Sequence, residues 1–302
     1  PLRLMTATFW VPVCKLLKER TNGRLIVEPF PAGALVPAKE IFNATSRGMI
    51  QMGSASGAYF RNKVPLAAIA YGLPFSFKKY NEVVYFHRIL GFDKMIRDAC
   101  GKFGVYYSNM TIHPAELALR RPVRTFEDFK GLKLRSAGSS QLFLSACGAA
   151  ASYLPGPEIY PALATGVVEG AHWGGTQGAD SMGFWDVAKY HMKPAIQLAG
   201  STIWVASQKA IDKLPKDMQQ IFYMTLDEHH LEYTAQYEIK EDLVLAKAVK
   251  EKGVKVTWLT EEAQKKMTKI AMETWDKEAA KAPENAKAVQ IIKDFLKSLG
   301  YI

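Results

Sequence analysis

The sequence predicts an α/β protein in which one long helix connects two regions of alternating strands and helices. Strand and helix patterns alternate from residue 11 to about 108, and a second alternation begins near residue 113. Residues 215–252 contain neither Gly nor Pro after Pro215 itself, and they are rich in Glu, Lys, Gln, Leu and Ala. A single helix there would be about 55 Å long at roughly 1.5 Å per residue, which exceeds the diameter of a small domain. We therefore expect it to bridge two domains.

The first region has a β-α-β-α-β rhythm, which favours a mainly parallel sheet. Its first helix has Pro12 in the first turn and ends at Asn22–Gly23. Leu25 and Val27 alternate in the strand that follows. The predicted elements are a helix over 11–22, a strand over 24–30, a helix over 37–48, a strand over 49–53, a helix over 80–100 and a strand over 103–108.

The second region repeats this rhythm and ends in helices. Ser139 or Ser140 is the expected N-cap of a helix that begins near residue 140. The predicted elements are strands over 117–119, 132–135, 167–172 and 195–206, helices from about 140, over 157–165, 260–280 and 285–299, and a turn-like segment over 173–180. His229 and His230 lie in the middle of the long helix, where we expect a solvated face.

Composition limits the classes of function. The 302 residues include 48% hydrophobic and 23% charged residues, which is typical of a globular protein. The net charge of +10 comes from scattered Lys and Arg, with no basic block and no nucleic-acid-binding motif, so no nucleic acid partner is expected. The chain starts at Pro1, which is compatible with a removed signal peptide.

Arg135 is the strongest candidate for binding chemistry. Leu132 and Leu134 alternate with Lys133 and Arg135, as in a short strand, and small residues then lead into a helix. An Arg at such a junction adds a planar, carboxylate-matching fork to the unpaired N–H groups of a helix N-terminus. On this pattern alone, an ordinary surface Arg remains the alternative.

An ordered set of short motifs surrounds this junction. They include FEDFKGLKLR over 126–135, LPGPEIY over 154–160 and GVVEGA over 166–171. The other members of the set lie at 22–25, 29–34, 48–52, 73–75, 214–219 and 253–257. Together they resemble the substrate-binding proteins of tripartite ATP-independent periplasmic (TRAP) transporters, the DctP-type family. The resemblance covers nearly the whole chain.

The resemblance implies a two-lobe periplasmic binding protein fold with the long helix spanning both lobes. Lobe I is expected to comprise residues 1–112 and about 202–235, and lobe II residues 113–201 and about 236–302, with the ligand cleft between them. It implies a solute receptor in the periplasm that binds a small organic acid and delivers it to TRAP membrane permease subunits. A monomer without a cofactor is expected.

The resemblance also suggests roles for particular residues. The family's Arg at the end of this strand pairs with the ligand carboxylate, and the matching residue here is Arg135. Trp173, followed by Gly174, occupies a place where some members have a ligand-binding Asn and others a Trp beside a metal-binding Glu. Because His172 stands beside Trp173 and that Glu is missing, no metal is expected. A core Trp is the alternative for Trp173.

Further candidates are less specific. Glu116 lies near a cleft position that carries Arg or Gln in some members, although Ala115 fits the spacing as well. The alternative for Glu116 is an exposed acid at a strand edge. Aromatic side chains near predicted cleft loops could clamp an apolar acid, although each could equally belong to the core. These aromatic candidates are Phe9, Trp10, Tyr71, Tyr160 and Trp204.

The favoured function is therefore a receptor for a small carboxylate, preferably an aromatic or apolar acid. A small keto or hydroxy acid is an open alternative for the ligand. An α/β enzyme that acts on a carboxylate is the alternative activity, but no nucleophile or acid–base pair has convincing spacing, and a non-enzyme is expected. A signalling receptor instead of a permease is an alternative partner.

Overall fold

The computed structural model describes residues 5–198 and 202–302, with side chains from Trp10 onward. Its helices are α1 Met5–Arg20, α2 Ile41–Ser46, α3 Leu66–Tyr71, α4 Tyr80–Arg88, α5 Phe92–Gly101, α6 Gly138–Ala146, α7 Gly156–Thr165, α8 Thr176–Ser181, α9 Gln208–Asp212, α10 Lys216–Lys252, α11 Glu261–Ala279 and α12 Pro283–Ser298. Its strands are β1 Met52–Ser56, β2 Val105–Thr111, β3 Pro114–Leu119, β4 Lys133–Arg135, β5 Ala150–Ser152, β6 Gly170–His172, β7 Tyr190–Leu198, β8 Thr202–Ser207 and β9 Lys255–Trp258.

The chain divides into two compact units. Unit 1 contains Pro1–Ala67, Asp93–Thr111 and Ser201–Ala235, and unit 2 contains Ala68–Phe92, Ile112–Gly200 and Gln236–Ile302. The predicted long helix is confirmed as α10, a helix of 37 residues. Its residues up to Ala235 belong to unit 1 and those from Gln236 belong to unit 2, so one helix contributes to both.

Unit 1 contains a three-stranded sheet in the order β1-β8-β2, in which both strand pairs are antiparallel. Its core includes Trp204 from β8, Val13 and Leu17 from α1, and Phe222 and Leu226 from α10. The helical spacing of the two α1 residues places both on the buried face of that helix.

Unit 2 contains a six-stranded sheet in the order β5-β4-β6-β3-β7-β9. Strand β4 pairs in parallel with β5 and β6, whereas β3 pairs antiparallel with β6 and β7. A hydrophobic cluster of this unit includes Trp185, Leu163 of α7 and Ala248 of α10, and Val244 and Leu245 of α10 pack against it. This sheet carries Arg135 and Glu116.

Several sequence predictions are wrong in detail. The mainly parallel sheet is wrong, because antiparallel pairs join strands that are distant in sequence. The strand over 24–30 joins no sheet, although Leu25 and Val27 pack against the core of unit 1. The helix over 80–100 is divided near Gly91, which has a φ of +85° that a helix does not allow. The strand over 195–206 is two strands, β7 and β8, and part of it lies outside the described residues.

Three local predictions are also corrected. The N-cap of α6 is Ala137, and the hydroxyls of Ser139 and Ser140 instead donate to the side chain of Gln197. The segment over 173–180 contains the short helix α8 as well as a turn. His229 and His230 are buried, not solvated, because that part of α10 packs within unit 1.

Candidate ligand-binding site

Arg135 lies at the end of β4 and is buried, with 3% of its surface exposed. Its Nε donates to the carbonyl of Leu154 at 3.0 Å, and its Nη1 donates to the carbonyl of His172 at 2.5 Å. Leu154 follows β5 and His172 ends β6, the two strands that flank β4. The neighbouring strand ends therefore fix the plane of the guanidinium.

Two aromatic rings lie beside this guanidinium. Its central carbon is 4.9 Å from the ring centre of Trp173 and 5.5 Å from that of Tyr153. Both distances are within the range of cation–π attraction. A planar cation held by carbonyls and bordered by rings is suited to a small planar anion, because a guanidinium matches a carboxylate with two parallel hydrogen bonds.

His172 adds a polar but uncharged side chain next to Arg135. Its Nδ1 lies 3.3 Å from the hydroxyl oxygen of Ser136. Burial, together with the charge of Arg135 and the proximity of His113, lowers the pKa of His172 from 6.5 to about 3. At neutral pH the imidazole is therefore neutral, and the positive charge of this region comes from Arg135.

Tyr71 lies against the turn that follows Arg135. A Cβ on Gly138, which has a φ of +60°, would be 3.3 Å from the Tyr71 ring. The side chain of Gln197 accepts hydrogen bonds from Ser139 and Ser140 and donates to the Tyr71 carbonyl at 2.7 Å. This network holds the start of α6 against Tyr71.

Glu116 is buried in β3, so the alternative of an exposed strand-edge acid is wrong. Its Oε1 accepts a hydrogen bond from Lys193 Nζ at 2.5 Å, and its Oε2 lies at hydrogen-bond distance, 2.8 Å, from His191 Nε2. Both partners lie on β7. Burial alone would raise the pKa of Glu116, but the hydrogen bond and charge of His191 and the charge of Lys193 bring it below its ordinary value. Its predicted contact with a ligand stays a prediction.

The structure places Trp173 and Gly174 directly after β6, beside Arg135. Gly174 has a φ of +73°, and its carbonyl accepts the backbone N–H of Glu116 at 2.9 Å. Tyr160 projects from α7 with its ring 3.5 Å from where a Cβ on Gly183 would be. Trp173 and Gly174 therefore lie beside Arg135, whereas Tyr71 contacts the turn three residues after Arg135, at Gly138.

The remaining aromatic candidates lie in unit 1. Trp204 is fully buried, and the ring centre of Trp10 lies 4.6 Å away in an edge-to-face arrangement. This placement favours the core alternative for both. Phe9 lies in α1, but its side chain is outside the described residues.

Sequence reasoning missed several contributors. Tyr153 directly follows β5, and a signal was present, since cleft residues were expected at strand ends. His191 and Lys193 share one face of β7 through their two-residue spacing, but no residue near them in sequence indicated that Glu116 is their partner.

Within the described residues, no group of three or more His, Cys, Asp or Glu side chains could hold a metal ion. No described helix is long and apolar enough to cross a membrane.

The model of the DctP family, described as bacterial extracellular solute-binding protein family 7, matches residues 5–282 of this chain. The chain belongs to this family. The sequence resemblance to TRAP transporter substrate-binding proteins is thereby confirmed.

Similar proteins cover nearly the whole DctP-family chain. The monocarboxylate 2-oxoacid-binding periplasmic protein of Nostoc sp. is 27% identical over 290 residues, which is 95% of this chain and 79% of that protein. A TRAP solute-binding protein from Bordetella bronchiseptica, a dimer with calcium and picolinate in its active site, has a TM-score of 0.84 at 24% identity and covers 99% and 90% of the two chains.

A third relative is a TRAP solute-binding protein from Pseudoalteromonas atlantica with bound sodium and pyruvate. Its TM-score is 0.81 at 24% identity, over 95% of this chain and 88% of that chain. At these identities the solved structures show the fold. The predicted fold class, an α/β solute-binding protein with a long helix, is confirmed.

Proposed function

We propose that this DctP-family protein is a periplasmic receptor of a TRAP transporter that binds a small organic carboxylate and delivers it, as a monomer, to membrane permease subunits. The observation that carries the ligand class is the buried guanidinium of Arg135, which two backbone carbonyls orient beside the rings of Trp173 and Tyr153. The predicted cleft between two lobes stays a prediction.

The ligand we favour is a small aromatic or apolar acid. The rings of Trp173 and Tyr153 offer apolar surface near Arg135, which suits such an acid better than a polyhydroxylated one. The relatives bind monocarboxylate 2-oxoacids, picolinate or pyruvate. A small keto or hydroxy acid is therefore the second candidate.

The Ser136–His172 pair does not favour an enzyme. An activated serine needs a neighbouring base whose pKa is near the working pH. The pKa of His172 is lowered to about 3, chiefly by burial, so His172 is a poor acceptor for the Ser136 proton. We therefore favour binding without chemistry.

We also propose that the acid binds without a metal ion, although two relatives hold calcium or sodium with their ligands. Beside Trp173 this chain has His172, whose Nδ1 is engaged with Ser136. The resemblance to metal-binding members of the family implies a Glu beside this Trp as the cation ligand, and this chain has His172 there.

The test is a thermal-shift screen of the purified protein. Its panel contains aromatic, keto, hydroxy, dicarboxylic and sugar acids, each beside its neutral amide. It is run with and without EDTA, which removes calcium, and in choline chloride as well as sodium chloride, because EDTA does not remove sodium. At about 100 times its dissociation constant a ligand adds roughly 2.7 kcal/mol of stability. We expect stabilisation by one class of acids, none by the amides, and no effect of EDTA or of replacing sodium. Stabilisation by neutral or cationic compounds alone would refute the carboxylate assignment, and loss of binding in EDTA or without sodium would refute metal-free binding.

A further inference from the structure

The turn that carries Trp173 is held by a carboxylate from the long helix. Glu241 of α10 is 3% exposed. Its Oε2 accepts the Thr176 N–H at 2.5 Å and the Thr176 hydroxyl at 2.7 Å. Its Oε1 accepts the backbone N–H of Gln177 at 3.2 Å and the side-chain amide of Gln177 at 2.9 Å. Both carboxylate oxygens are thus occupied by donors from two consecutive residues.

The backbone between Trp173 and these donors is closely packed. A Cβ on Gly175 would overlap Glu241 Oε2 and Pro114, and a Cβ on Gly178 would overlap the carbonyl of Trp173. Only glycine allows these approaches. The position of the Glu241 carboxylate therefore determines where the turn from Trp173 to Gly178 lies.

The same turn sets the position of the Trp173 ring. The ring lies 4.9 Å from the Arg135 guanidinium carbon. On α7, a Cβ on Gly156 would come within 3.0 Å of the ring. Because the ring is confined by α7 and by its own backbone, a shift of the turn would change the surface that the ring presents beside Arg135.

We propose that Glu241 is a positioning residue of the ligand site, acting through Trp173 rather than by contact with the ligand. The effect on affinity rests on the proposed function, whereas the effect on the Trp173 ring is a property of the ligand-free protein. Glu241→Gln is the informative change because it keeps the side-chain shape, removes the charge and directs an NH2 group at donors that need an acceptor.

The first experiment uses ¹⁹F NMR of the ligand-free protein with 5-fluorotryptophan. The chain has six Trp residues, and Trp173→Phe identifies the resonance of Trp173. We expect Glu241→Gln to shift or broaden that resonance and to leave the resonance of the buried Trp275 unchanged. The matched control is Glu238→Gln, an exposed acid on the same helix, which should leave both unchanged. An unchanged Trp173 resonance in folded Glu241→Gln would overturn the proposal.

The second experiment measures affinity for the best acid of the panel. We expect Glu241→Gln to weaken binding about tenfold, or roughly 1.4 kcal/mol, because the Trp173 ring loses its position beside Arg135. In a Trp173→Ala background, where that ring is absent, the same change should cost less than threefold. An equal loss in both backgrounds would show that Glu241 does not act through Trp173.

Two further outcomes are informative. If Glu241→Gln does not fold, Thr176→Val removes one donor to the carboxylate and should move the Trp173 resonance in the same direction. If the resonance moves but no acid binds even the wild type, the carboxylate function fails while the positioning of Trp173 by Glu241 stands.

Discussion

Arg135 and Glu116 are both buried charges in the sheet of unit 2, on strands that flank β6, yet their surroundings differ. The carboxylate of Glu116 is paired within the sheet, because Lys193 and His191 of β7 both contact it. The guanidinium of Arg135 is contacted by two backbone carbonyls and lies beside two aromatic rings. A carboxylate paired between two strands is suited to holding the fold, and a guanidinium held in a fixed plane is suited to orienting a carboxylate ligand.

The largest expected effect is on ligand binding at Arg135. Arg135→Ala should weaken acid binding by about 3 kcal/mol or more, over a hundredfold, because the ligand carboxylate loses a hydrogen-bonded charge partner. Arg135→Lys should weaken binding less, since a point charge replaces the fork. Calorimetric titration measures both.

Arg121→Ala is the matched control for Arg135→Ala. Arg121 is part-exposed and pairs with Glu169 in the same unit. Full affinity in folded Arg135→Ala would show that the anchor is misassigned.

The next effect is on stability at Glu116. Glu116→Gln should lower the free energy of unfolding by about 3 kcal/mol, because Lys193 is left beside an uncharged partner in a largely buried place. Urea titration measures it. Glu169→Gln breaks a part-exposed pair with Arg121 and should cost under about 1 kcal/mol. Equal costs for the two variants would remove the distinction between the carboxylate paired within the sheet and a surface pair.

Two tryptophans allow a similar comparison, because Trp173 lies beside Arg135 and Trp204 lies in the core of unit 1. Trp173→Ala should weaken acid binding about tenfold, consistent with loss of a cation–π contact and apolar surface worth roughly 1–2 kcal/mol. Trp204→Phe alters the buried core of unit 1 and should lower the melting temperature while leaving affinity within twofold. A Trp204→Phe protein that is stable but binds poorly would return Trp204 to the ligand site.

Lowering the pH changes the charge of the buried His and Glu side chains near the site, whereas Arg135 stays charged throughout. The pKa of His172 falls from 6.5 to about 3, chiefly through burial, so between these values the unfolded chain binds more protons. His172 should therefore lower the free energy of unfolding by up to about 1.4 kcal/mol per pH unit as pH drops below 6.5. His113 and His229, whose pKa values burial lowers to about 4, add to this fall in every variant. Urea titrations from pH 7 to 4 should show a shallower slope in His172→Asn.

Glu116 contributes in a lower window. Its pKa lies below the ordinary 4.5, so the stability it provides is present above pH 4.5 and is lost as pH falls through its folded value. Glu116→Gln should flatten that part of the profile. An unchanged profile in both variants would show that neither buried group governs acid sensitivity.

Some elements could be predicted from the pattern of their own residues. The absence of Gly and Pro predicted α10 within one residue of its observed start, and the alternation of Leu132 and Leu134 placed Arg135 at the end of a strand. Leu25 and Val27 show the limit, because alternation indicates a buried face but not whether a neighbouring strand is present to pair with it.

The partners of the candidate site could not be predicted in the same way. His191 and Lys193 are 75 and 77 residues from Glu116, and Glu241 is 65 residues from Thr176. Nothing in the residues next to Glu116 or Glu241 distinguishes them from surface acids. Only the topology of the sheet and the course of α10 bring these groups together.

The most direct measurement is a calorimetric cycle on one acid and its amide, each titrated into the wild type and into Arg135→Ala. If Arg135 binds the carboxylate, the change from acid to amide should cost the wild type over a hundredfold in affinity and cost Arg135→Ala almost nothing. An equal cost in both proteins would show that the carboxylate is recognised elsewhere and would contradict the assignment of Arg135.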